Sequence, residues 1–109
     1  MRIWDIPLKQ LCNLHLLGEH RELHAIWSIL TNKKKGYNKH PETLRWKGKL
    51  KALFIRHKQI VKEMEKRGFN HKSPLNIDFA TGLDFQNSYV DSVEVQIKIL
   101  KRKKCKCKV

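Results

Sequence analysis

The chain has no apolar run near the roughly 20 residues needed to cross a bilayer, so no membrane segment is expected. Its start, Met1-Arg2-Ile3-Trp4-Asp5, lacks an apolar stretch followed by a small-residue cleavage site, and no signal peptide is expected. Cysteine is scarce: three in 109 residues, two of them within the last five. That excludes a disulfide framework and fits a cytoplasmic protein with reduced thiols. No Gly-rich phosphate loop, internal repeat or convincing strand pattern is present. Acidic residues are the remaining shortage. Ten Asp and Glu face 24 Lys and Arg, for a net charge of +14. So much charge of one sign opposes compaction and favours a polyanionic partner.

What is present suffices for one small core, since 40% of residues are apolar. Residues 1–109 are therefore expected to form a single domain. The charge is unevenly spread: residues 1–32 are neutral, 33–72 carry +11, 73–100 carry −3 and 101–109 carry +6. The middle and the tail read as the surface that grips nucleic acid, which leaves a separate task to the first segment.

Apolar residues at helical spacing predict a first helix from Leu8 to about Leu30, with Pro7 in its first turn. Gly18 interrupts it at a cost of about 1 kcal/mol relative to Ala, as expected where something approaches the backbone. A second helix is predicted from His40-Pro41-Glu42-Thr43 to Arg67-Gly68, and a third after Asp91 or Ser92 through Leu100. The tail from Lys101 reads as a frayed helix end or disorder. The expected architecture is all-α: a compact three-helix domain with long basic loops.

On a wheel advancing about 100° per residue, the apolar arc of the first helix contains His15, Glu19 and Glu22. His20, His24, Arg21 and Ser28 fall on the opposite, polar side. A desolvated carboxylate is costly unless paired. Glu19 and Glu22 either anchor arginines of other helices or do chemistry, and the wheel leaves both readings open. His20-Arg21-Glu22 matches half of a zinc deaminase signature, but the cysteine half is missing. His20 and His24 are four apart without a zincin glutamate. No metal is expected. No Ser or Cys has an adjacent base for nucleophilic work, which leaves an amine, either a lysine or the chain terminus.

The segment His15-Leu16-Leu17-Gly18-Glu19-His20-Arg21-Glu22-Leu23 resembles the first helix of the phage-type pyrimidine-dimer DNA glycosylase/AP lyases. Lys66-Arg67-Gly68-Phe69-Asn70 and Met1-Arg2-Ile3 are similar to further parts of that family. The resemblance covers about residues 1–30 and 41–100. It implies an all-α fold and a two-step reaction without a cofactor. The amino-terminal amine displaces the damaged base at the anomeric carbon, a Schiff base forms, and β-elimination cuts the strand.

Carried onto this chain, the resemblance makes Met1 the nucleophile and Glu22 the catalytic carboxylate. Arg21 and His15 match positions lining the lesion and phosphate site, and Arg2 lies beside the nucleophile. Ala25 stands where the family has an arginine, and His24 adjoins it. Lys47 and Lys51 complete the expected DNA-contacting set. An α-amine suits the chemistry because its ordinary pKa, about 7.7–8.0, leaves more of it unprotonated than a lysine. The expected function is a monomeric DNA repair enzyme. It would excise pyrimidine dimers from double-stranded DNA and cleave at the abasic site. The alternatives are an AP lyase acting on abasic sites or another lesion, and a non-catalytic nucleic-acid-binding domain.

Overall fold

A computed structural model describes every residue except Met1, Lys34 and Tyr37. Among the described residues the structure is all-α, with no strand: α1 spans Asn13–Thr31, α2 Pro41–Leu44, α3 Leu50–Lys66 and α4 Val93–Arg102. Helix α1 packs mainly on α3. Ile3, Ile6, Leu11, Leu16, Leu23, Ile26, Leu53, Ile60 and Leu100 are almost fully buried between these elements. No helix is long and apolar enough to cross a membrane.

The first helix begins later than its apolar spacing suggests. Leu8–Gln10 form a 3-10 turn, Leu11 is extended, and Cys12 is the residue that precedes α1. The predicted second helix is broken in two. Trp46 turns into the core and Gly48 adopts a φ of +76°, a left-handed conformation that suits glycine. The start of α3 is completed from far along the chain. The Lys51 and Ala52 N–H groups donate to the carbonyls of Thr81 and Leu83 at 2.8 and 3.0 Å. These are amides a helix cannot satisfy internally. Gly82, with φ +83°, lets this loop close, because a Cβ there would lie 2.1 Å from the Gly48 carbonyl oxygen.

Helix α3 stops at Lys66 and Arg67 as expected, and Ser92 caps α4 by accepting from the Val95 N–H at 3.3 Å. The tail departs from expectation. It folds back on the amino-terminal segment, with the Lys108 N–H donating to the Gln10 carbonyl at 2.7 Å. Cys107 and Val109 pack against the core, so two apolar contacts hold down what its charge alone describes as a loose end.

Candidate active site and two Cys and His clusters

Residues Arg2–Ile6 lie outside any helix and are tied by side chains from every major helix. The Ile3 N–H donates to Glu42 Oε1 at 3.2 Å, and the Trp4 N–H to Glu19 Oε1 at 2.7 Å. The Asp5 N–H donates to Gln96 Oε1 at 2.8 Å. On the carbonyl side Arg45 donates to Ile3 at 2.9 Å, while Arg56 donates to Trp4 and, at 3.2 Å, to Ile6. The two arginines are held by the same carboxylates. Arg45 meets Glu42 at 2.7 Å and Asp5 at 3.1 Å, and Arg56 meets Glu19 at 2.9 Å. Burial pushes the Glu19 carboxyl above its ordinary range, while Arg56 and the Trp4 amide oppose the shift. This buried lattice fixes the path of the segment that leads to Met1, which itself lies outside the described residues.

The two wheel carboxylates separate. Glu19 is 1% exposed and anchors Arg56, the structural reading left open above. Glu22 is half-buried, and among the described residues no ion pair or hydrogen bond engages its side chain. Gly18 lies one turn before it. A Cβ at Gly18 would meet nothing within 4 Å, so no protein group makes the close approach its sequence position suggested.

The DNA-contacting candidates are dispersed. Arg21, Lys47 and Lys51 are exposed. Lys47 lines a cleft of about 380 Å3 with Lys33 and Asn38. Arg2 is partly exposed, lies over the Trp4 ring at 5.0 Å and pairs with Asp91 at 2.8 Å. His15 packs edge-on against Trp4, with ring centroids 5.9 Å apart, and its Nδ1 faces Cys12 Sγ at 3.1 Å and Cys107 Sγ at 3.3 Å. The other ring nitrogen remains for any group outside. His24 Nε2 faces His57 Nε2 at 3.1 Å.

Two groups of potential metal ligands come together, of which sequence spacing had noted only the His20 and His24 pair: Cys12, His15, Cys105 and Cys107, and His20, His24, His57 and His71. Within each group the ligand atoms lie within 4.8 Å of one another. In the first group, hydrogen bonds from His15 and its neighbours outweigh burial and lower the Cys12 thiol to about 6, while burial pushes Cys107 up to about 12. In the second, burial and neighbouring imidazoles lower His20 to about 4 and His57 to about 3. The wheel put His20 and His24 on a polar, open face. The chain after α3 covers that face with His71, and both rings are half-buried.

Sequence reasoning also missed Arg45, Arg56, Glu42 and Gln96, whose roles depend on tertiary contact. The Cys12-x-x-His15 spacing, read together with Cys105-x-Cys107, was the available signal for the first cluster.

No curated protein and no solved structure matches the chain. A family profile described as "Pyrimidine dimer DNA glycosylase" matches residues 1–77, more than two thirds of the sequence. That match spans the strapped amino-terminal segment, α1 with Glu22, and α3. The chain therefore belongs to the pyrimidine dimer DNA glycosylase family, whose members act on DNA containing pyrimidine dimers.

Proposed function

We propose that this protein is a DNA glycosylase with AP lyase activity, working through an amino-terminal Schiff base. The Met1 α-amine attacks the anomeric carbon of the damaged nucleotide and displaces the base. The resulting imine permits β-elimination, which breaks the strand on the 3′ side of the sugar. Glu22 moves protons in these steps and stabilises the cationic sugar as the base departs. Arg2, Arg21 and His15 serve the lesion and phosphate site, and Lys47 and Lys51 grip the backbone. Weak stacking of the lesion lowers the cost of turning its nucleotide out.

The observation that carries this reading is the strap on Arg2–Ile6. A chain end used only for charge would not need six main-chain atoms bonded by buried side chains, whereas a nucleophile must be held to a fraction of an ångström. The free carboxylate of Glu22 supports it. Glu22 lies three residues beyond Glu19, about 4.5 Å along the helix, and Glu19 holds Trp4. Borohydride added during reaction with an abasic duplex is expected to trap a covalent adduct that peptide mapping locates on Met1. An adduct on an internal lysine would overturn the nucleophile, and no adduct would favour a binding protein.

A further inference from the structure

We propose that Cys12, His15, Cys105 and Cys107 form a closed four-coordinate site for a zinc-class divalent ion that pins the segment after α4 to the start of α1. This goes beyond the glycosylase reading and does not depend on it. The four donor atoms already lie within 4.8 Å of one another, with His15 Nδ1 at 3.1 and 3.3 Å from two of the sulfurs. A tetrahedral ion with bonds of about 2.3 Å to sulfur and 2.0–2.1 Å to nitrogen holds its donors roughly 3.5–3.8 Å apart. The cluster therefore closes on such an ion with changes in donor separation of at most about 1 Å. Three thiolates and an imidazole suit zinc and disfavour hard, oxygen-seeking cations.

The surroundings agree. Cys12 and His15 share one face at the first turn of α1, where the helix dipole favours thiolates. The Cys12 N–H donates to Cys107 Sγ at 3.1 Å, an outer contact of the kind that orients ligating sulfur. Binding needs all three sulfurs as thiolates and sends the thiol protons they still carry to solvent. It leaves one net negative charge, and exposed Lys103, Lys104, Lys106 and Lys108 surround it. With all four positions filled by protein, the ion is structural rather than catalytic.

The geometry points to a second ion on independent grounds. His20 Nε2 and His71 Nε2 are buried without any partner, and His24 Nε2 and His57 Nε2 face each other at 3.1 Å. Four imidazoles from α1, α3 and the chain beyond α3, two of their nitrogens unpartnered and two bonded only to each other, bring donor atoms within 4.8 Å of one another, a set suited to zinc, nickel, cobalt or copper.

The test uses the full chain, purified under reductant without chelator and then loaded with cobalt(II). Two equivalents should bind, and a sulfur-to-cobalt charge-transfer band should appear. Cys107→Ser should lose that band and one equivalent. His71→Asn should lose one equivalent and keep the band. Because Cys107→Ser can unfold the chain, alkylation of the wild type supplies a second measurement: all three thiols should be shielded until chelator is added. No charge-transfer band in the wild type, unshielded thiols, or a mass two hydrogens short from a disulfide would overturn the cysteine site. One equivalent in the wild type, or unchanged metal content in His71→Asn, would overturn the histidine site.

Discussion

Two carboxylates three residues apart on one helix have different physical tasks, and substitution should separate them. Glu19→Ala removes a buried carboxylate from the part-buried Arg56 guanidinium and should cost about 3–5 kcal/mol, read as a lower midpoint in denaturant. Glu22→Gln should leave that midpoint within about 0.5 kcal/mol and slow single-turnover cleavage of a dimer-bearing duplex by about 100-fold or more. A Glu22→Gln protein that melts early yet cleaves at the normal rate would assign Glu22 to structure instead. The amino end makes an equally sharp case. One extra residue before Met1 adds about 3.3–3.6 Å of chain, so an amino-terminal tag should abolish cleavage of an abasic duplex while helicity and bulk DNA binding persist. Equal single-turnover rates with and without the tag would exclude the amine mechanism. The wheel identified both carboxylates as unusual. It did not tell them apart, because the difference lies in Arg56, which stands 37 residues away from Glu19.

At the level of elements, the helices were legible where one apolar stripe ran unbroken and illegible where a distant segment intervened. The end of α3 and the Ser92 cap follow from local residues. The break at Gly48 does not, because it exists to receive the 81–83 loop. Gly82→Ala should expose that dependence. Its Cβ would collide with the Gly48 carbonyl, its φ of +83° disfavours a side chain, and a loss of about 1–3 kcal/mol is expected. Hydrogen exchange should quicken first at Lys51 and Ala52, whose amides the loop holds. Gly18→Ala tests the opposite situation. With open space around it, the added methyl should raise stability by about 1 kcal/mol through helix propensity. If a DNA strand passes that face beside Glu22, cleavage should slow in the stabilised protein. Unchanged cleavage would show that Gly18 is not a point of DNA approach. The covering of His20 and His24 was illegible for the same reason as the Gly48 break: a wheel treats a helix as alone, and His57 and His71 come from elsewhere.

For the whole molecule, charge sets the expectation. A net +14 predicts that affinity for undamaged duplex falls steeply as salt rises. Replacing Lys103, Lys104, Lys106 and Lys108 with Gln should shallow the slope of log affinity against log salt by up to about 3–4, measured by fluorescence anisotropy. A slope that does not change would place phosphate contact elsewhere on the surface. Composition gave this property directly, whereas the return of the tail to Gln10 needed the folded chain. That return, together with the strap, has a consequence in time. Asp5 bonds Gln96 and Cys12 bonds Cys107, partners 91 and 95 residues apart. At about 5–20 residues per second, synthesis reaches Gln96 roughly 5 to 20 seconds after Asp5. Throughout that interval the amino end hangs from the ribosome with no α4 to receive it. An enzyme that trims or acylates a nascent α-amine therefore meets this one before α4 exists to hold the segment behind it.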